Sequence, residues 1–280
     1  MSKKVLITGA NGYIGRHVVQ AALNKGLTVL AADLKFDEID DRVIQVTHPI
    51  FSNDAQLFEK LGSPDIIVHL AWRDGFIHNS SIHIEDLSHH YHFLQKMVDS
   101  GAKQIAVMGT MHEIGYHEGA INAQSPTNPE SLYGIAKNAL RDVLFNITKN
   151  TETVVQWLRA FYIVGDDARG SSIFAKIVQA EHEGKETFPF TTGKNKFDFI
   201  NIDCLANQIV TTITQDEFSG IINVASGVPE TLANRVESFI KDNDFKIKLD
   251  YGAFPDRPYD SPETWADVTV INKIMEKYDK

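Results

Sequence analysis

The chain has 280 residues, enough for one α/β domain, or one such domain with a smaller lobe grafted onto it. A formal net charge of −10 with no long Lys/Arg cluster excludes the basic footprint of a nucleic-acid binder and disfavours a membrane surface. No apolar run reaches the ~20 residues of a bilayer span, the first residues carry no signal-peptide pattern, and the lone Cys204 rules out an internal disulfide, so a reducing, cytoplasmic setting is expected.

Val5–Ile7 is a short apolar run that ends in a glycine-rich turn, and a helix pattern follows from Tyr13 to Lys25. Further apolar runs lie at Leu27–Ala32, Val43–Val46, Asp65–Ala71, Gln104–Met108 and Val154–Val164. Helix-compatible stretches, chiefly Ile84–Ser100 and Ser131–Lys149, separate them. Short, continuous apolar strands alternating with helices predict a buried parallel sheet, and right-handed crossovers make it doubly wound. The expected fold is therefore α/β: a doubly wound parallel sheet of the Rossmann type over residues 1–165. A smaller C-terminal α/β substrate lobe, partly interleaved with the first part, is expected over 166–280. In that lobe helices are expected at Ile173–His182, Leu205–Thr212 and Leu232–Lys241, and strands at Phe199–Ile202, Ile221–Val224 and Lys246–Leu249.

Thr8-Gly9-Ala10-Asn11-Gly12-Tyr13-Ile14-Gly15 follows the first strand and opens the first helix. Glycines there permit a tight turn and a close approach of the backbone to a diphosphate, while the helix start offers free N–H groups. Asp33 ends the second strand, where a carboxylate accepts hydrogen bonds from an adenosine ribose and repels a 2′-phosphate, which favours NAD. Arg16 is a candidate phosphate contact and keeps NADP open. Tyr133 and Lys137 are four apart on one face of a helix, after the fifth strand, on the side where open α/β sheets bind ligands. An unperturbed phenol titrates near ~10, and a neighbouring ammonium favours its ionised form. Thr110, ending the fifth strand, can hydrogen-bond a reacting oxygen. Histidines 78, 83, 89, 90 and 92 show no ligand frame for a metal, and they read as a solvated helix face.

The order and spacing of T-G-x-x-G-x-x-G, Asp33, His69-Leu70-Ala71-Trp72, Gly109-Thr110, Tyr133-x-x-x-Lys137 and Leu158-Arg159 resemble the extended short-chain dehydrogenase/reductases. Asp198-Phe199-Ile200-Asn201-Ile202, Ile222-Asn223-Val224-Ala225-Ser226-Gly227, and Arg257-Pro258 with Trp265-Ala266-Asp267 continue the resemblance to nearly the whole chain. It implies an NAD-dependent enzyme acting on a nucleotide-activated sugar, with Thr110, Tyr133 and Lys137 catalytic. It further implies cofactor contacts from Gly9, Asn11, Gly12, Tyr13, Ile14, Gly15, Asp33, Ile50, Leu70, Ala71, Trp72 and Met108, with Tyr133 and Lys137 again. The substrate contacts it implies are Arg73, Met111, His112, Tyr162, Lys196 and Arg257.

The departures narrow the reaction. Pro49 stands where the family often carries an acid, Asp86 stands for its helix asparagine, and Phe197 replaces a diphosphate-binding arginine. The Asp-Glu pair of the 4,6-dehydratases is absent, because Thr110 is followed by Met111 and His112, and Glu113 comes one position late. Reduction of a 4-keto-6-deoxy sugar is expected, with a 4-epimerase as the alternative and a non-catalytic dinucleotide sensor as the alternative of another class. The short C-terminal end also favours the reductase. A homodimer through Ile84–Ser100 and Ser131–Lys149 is expected, because the second helix is apolar around much of its circumference.

Overall fold

A computed structural model of the protein describes residues 2–165, 172–255 and 261–280. In chain order the elements begin with β1 (Lys4–Thr8), α1 (Tyr13–Asn24), β2 (Thr28–Ala32), β3 (Ile44–Val46), α2 (Leu57–Lys60) and β4 (Ile66–His69). Next come α3 (Ile82–Glu85), α4 (Leu87–Asp99), β5 (Gln104–Thr110) and a 3-10 turn at Met111–Glu113. They continue with β6 (Gly119–Ile121), α5 (Leu132–Thr148), β7 (Val154–Ala160), β8 (Tyr162–Val164), α6 (Ile173–His182) and β9 (Thr187–Pro189). Then follow β10 (Lys196–Asn201), α7 (Ile202–Ile213), β11 (Gly220–Val224), β12 (Pro229–Thr231) and α8 (Leu232–Asp242). The last elements are β13 (Lys248–Asp250), β14 (Glu263–Ala266) and α9 (Thr269–Tyr278).

Seven parallel strands form the main sheet in the order β11-β7-β5-β4-β1-β2-β3. Alternation along each strand feeds two core layers. Val5 and Ile7 pack with Val18 and Val19 of α1, Leu205 and Ile209 of α7, and Ile271 and Ile274 of α9. Leu6 and Ile67 pack on the other face with Phe93, Leu94 and Met97 of α4 and Leu140 and Leu144 of α5. Helices on both faces bury the central strands twice, which is why those strands read as continuous apolar runs. A second sheet, β12-β10-β14-β6 with β8 beside β10, lies in the lobe. There Phe174, Ile177, Phe190, Val236 and Phe239 form a core of their own, and β9 pairs with β13.

Several expected elements fall differently. Ile221–Val224 is an edge of the main sheet rather than a lobe strand, because Ile222 and Val224 are buried in the first core layer and β11 pairs with β7. Conversely, β6 leaves the first half of the chain to pair with β14. The expected helix Ile84–Ser100 is broken at Asp86 into α3 and α4. Ile202 opens α7 instead of closing a strand, since the Asn201 side chain accepts the Asp203 N–H at 2.8 Å and caps the helix. Lys246 and Ile247 lie outside β13, their N–H groups donating to the Glu181 carboxylate. Among the described residues no helix is long and apolar enough to cross a membrane.

Candidate active site

The strand order reverses between β1 and β4, so a crevice opens at their carboxyl ends. Gly9 lies there with φ +68, and a Cβ on it would stand 2.8 Å from Ala71 Cα. Only glycine lets the exit of β1 close on Leu70 and Ala71. A Cβ on Gly15 would overlap the Gly9 carbonyl oxygen, which fixes how α1 leaves the turn. Gly12 caps α1 without a side-chain acceptor, so the start of the helix turns backbone N–H groups toward the crevice. This cradle fits the diphosphate of a dinucleotide.

Asp33 accepts the Asn11 N–H at 2.8 Å through one carboxylate oxygen and the Leu34 N–H at 2.6 Å through the other, so it also braces the glycine turn. Arg16 pairs with Glu38, which sets a second carboxylate close to the turn. Ile50 and Trp72 pack at the edge of the second core layer.

Thr110 ends β5 and caps the Met111–Glu113 turn: its hydroxyl accepts the His112 N–H at 3.3 Å, and its own N–H donates to Glu113 Oε1 at 2.7 Å. The start of α5 is jammed against this turn. Gly134 is required there, because a Cβ would overlap the His112 carbonyl oxygen, and the Ser131 hydroxyl caps the helix by accepting the Gly134 N–H at 3.1 Å. That docking brings Tyr133 to Thr110 and aims Lys137 inward. Lys137 is 2% exposed and donates to the Met108 carbonyl at 2.9 Å. Burial pushes the Tyr133 phenol up to about 12, with the Thr110 hydrogen bond working in the opposite direction. Burial pushes Lys137 down to about 7, against the attraction of Glu113.

The histidines do not form the solvated face expected of them. His83 and His90 are 1% and 2% exposed, whereas His89 and His92 face solvent. His69 at the end of β4 bonds the Thr8 hydroxyl through Nδ1 and His90 through Nε2, both at 2.8 Å. The Trp72 indole N–H donates to His83 Nδ1 at 3.0 Å. Rings surround the phenol: His78 stacks on Tyr133 at 5.5 Å, His83 lies at 5.3 Å, and His112 stands 4.3 Å from His78. Burial, then His78, lowers His112 to about 4. Sequence reasoning missed His69, His78, His83 and His90 because their partners come from different elements; the only signal was the motif His69-Leu70-Ala71-Trp72.

Glu113 is fully buried and committed to structure. It accepts from Thr110 N–H and the Trp157 indole (2.9 Å), and it pairs with Arg141 (3.3 Å) and Arg159 (3.4 Å). Arg73 forks onto Asp86 with two 2.7 Å bonds, and Arg73 holds the Asp86 carboxyl below the usual range. Met111 is buried with Phe161, and Tyr162 packs at the edge of this cluster. Tyr162 also packs on Phe197 at 4.7 Å. Lys196 is exposed and pairs with Glu263 at 3.4 Å. Arg257 lies outside the described residues.

The sequence profile of the NAD dependent epimerase/dehydratase family matches residues 5–225. The chain belongs to that family. It is therefore an NAD-dependent enzyme. A dTDP-6-deoxy-L-talose 4-dehydrogenase (NAD(+)) from Aggregatibacter actinomycetemcomitans is 43% identical over 93% of this chain and 98% of that relative. A probable UDP-arabinose 4-epimerase 1 from Oryza sativa subsp. japonica is 24% identical over 97% of this chain and 74% of that relative. The family fold is that of MoeE5, solved in complex with UDP-glucuronic acid and NAD: the TM-score is 0.83 at 21% identity, covering 98% of this chain and 92% of that chain.

Proposed function

We propose that the protein interconverts the C4 hydroxyl and the C4 ketone of a dTDP-linked 6-deoxyhexose, working toward reduction of the 4-keto sugar. The observation that carries this reading is the near full-length, 43% identity to a dTDP-6-deoxy-L-talose 4-dehydrogenase. The site chemistry supports it. Bound at the glycine turn, NAD would supply the hydride chemistry at C4. In reduction Tyr133 gives its proton to the C4 oxygen and is left a phenolate, which solvent reprotonates; in oxidation it takes that proton back. Thr110 hydrogen-bonds the same oxygen, and Lys137 supports the phenolate and holds the nicotinamide ribose. No acid–base pair for eliminating water stands beside Thr110, because Met111 is apolar and Glu113 is saturated by Arg141, Arg159 and Trp157. Met111, Phe161 and Tyr162 give an apolar wall suited to a C6 methyl group.

In this reading the Gly9–Gly15 turn with Asn11, Tyr13 and Ile14 cradles the diphosphate of NAD. Asp33 takes the adenosine ribose, and Ile50, Leu70, Ala71, Trp72 and Met108 line the remainder. Arg73, His112 and Lys196 take the nucleotide sugar with Met111 and Tyr162; Arg257, assigned to the same role, lies outside the described residues. The enzyme is cytoplasmic and pairs as a homodimer through α4 and α5, where Ile135 is exposed; light scattering reporting a monomer at micromolar concentration would remove the dimer.

The 4-epimerase reading rests on the rice relative. Mixing the enzyme with NADH and a dTDP-4-keto-6-deoxyhexose distinguishes them. Stoichiometric loss of NADH with formation of the 4-hydroxy sugar is expected. Interconversion of two 4-hydroxy epimers without net NADH loss would make the protein an epimerase.

A further inference from the structure

We propose that the indole face of Trp72 is the second partner of the Lys137 ammonium, and that His83 and His90 clamp the indole in place for that purpose. The proposal rests on the reading of Lys137 as a lysine of the reacting centre.

An ammonium has three N–H donors, and a buried one is costly unless it is paired. Lys137 donates to the Met108 carbonyl, and the adjacent carboxylate, Glu113, is already engaged by two guanidinium groups, an indole and a backbone N–H. What lies against Nζ instead is the Trp72 ring, 3.8 Å away at its centroid; the Tyr133 ring is 6.0 Å away. Tryptophan has the most negative ring face of the side chains, and the attraction strengthens where water is excluded.

The indole is held from two directions. Its N–H donates to His83 Nδ1, so the His83 proton sits on Nε2 and donates to the Ile77 carbonyl at 3.1 Å. His90 lies nearly flat on the ring, 4.4 Å between centroids and 18° between planes, and its own position is set by the bond to His69. Burial holds His90 down at about 3, so it is uncharged at neutral pH and does not compete with Lys137 for the indole. The titratable groups around the ammonium are thus Tyr133 on its own helix, Glu113 after β5, His69 on β4, His83 on α3 and His90 on α4. Of these Glu113 alone is anionic. With Lys137 lowered to about 7 by burial, an attraction from the indole face works against that burial and bears on its protonation near neutrality.

Tryptophan carrying one, two or three ring fluorines keeps its shape while its face loses negative potential. The midpoint of Lys137 can be read in the cofactor-free protein by NMR of 13Cε-labelled lysine, assigned with Lys137→Met. It should fall with each fluorine, by about one pH unit in all. In a Trp72→Phe background the same fluorination of the other two tryptophans should leave it unmoved, and His83→Leu, which frees the indole, should blunt the response. Lys137 loses its proton as pH rises, so the alkaline limb of kcat for reduction should move to lower pH by the same amount. A midpoint that ignores fluorination, or that responds equally in the Trp72→Phe background, overturns the proposal. A midpoint that moves while the kcat profile stays still leaves the Trp72–Lys137 pairing standing and overturns the catalytic reading of Lys137.

Discussion

Tyr133 is a neutral phenol until the site is charged around it. Burial raises it to about 12, and its ring is packed by Trp72, His78, His83 and His112. A neutral phenol is the form that donates a proton, which suits reduction of a ketone. Tyr133→Phe keeps the ring packing and removes the ionisable oxygen. It should lower kcat by ~10²–10⁴-fold and leave NAD affinity, measured by calorimetry, nearly unchanged. A variant that reduces the keto sugar at the wild-type rate in single turnover would move the proton donor elsewhere, His112 being next to the site. At this scale the grouping of Thr110, Tyr133 and Lys137 was legible only through the family resemblance, because a Tyr and a Lys four apart are common by chance; what the structure adds is the hydrogen bond of Tyr133 to Thr110 and the inward aim of Lys137. The role of Glu113 was not legible. In sequence it is a carboxylate one position late; its commitment depends on Arg141 and Arg159, supplied by α5 and β7.

The glycine turn and the end of β2 act as one element, because Asp33 is tied to Asn11. Asp33→Ala would therefore loosen the cradle as well as remove a charge. Asp33→Asn separates the two effects: an amide oxygen still accepts the Asn11 N–H, but the negative charge is gone. Its preference for NAD over NADP should narrow by ~10-fold or more, since a 2′-phosphate no longer meets a carboxylate at close range. Glu38, paired with Arg16, occupies a guanidinium that could otherwise meet a 2′-phosphate. An unchanged ratio of the two dissociation constants would take the ribose contact away from Asp33. Elements buried on both faces were legible as apolar runs. Three-residue strands such as β6, β9 and β12 were not, because nothing local distinguishes them from loop and their pairing partners are remote in sequence. The break at Asp86 escaped for a related reason: what fixes that residue is the fork from Arg73, on the loop after β4.

Across the whole molecule, the seven-stranded sheet was legible to its sixth strand, and the seventh was misplaced because β11 returns from the lobe to close the edge. His69 of β4 and His90 of α4 are buried against each other beneath the crevice, and burial there has a consequence for stability. His69 is pushed well below 6.5 and His90 to about 3, in both cases chiefly by desolvation. In the unfolded chain both titrate near 6.5. Below that pH the unfolded chain takes up protons that the native state refuses. The contribution of the neutral His90 imidazole is therefore complete above 6.5 and lost as pH falls toward 3, and that of His69 is lost in the same direction. Each group should tilt stability by about 1.4 kcal/mol per pH unit in that window. Lys137, lowered to about 7 by burial, gives the same sign on the alkaline side. Carboxylates held down by cations, such as Asp86, add their own loss only below the ordinary carboxylate range, so the interval from pH 6.5 to 4.5 isolates the histidines. The urea midpoint should fall steeply across it. His90→Phe keeps a ring on Trp72, leaves His69 without its Nε2 partner and removes one titrating group. That variant should be less stable at pH 7 yet show a flatter dependence, by about one proton. An equal slope in both proteins would mean that His90 is protonated in the native state, and that the uncharged pair beneath the crevice does not exist.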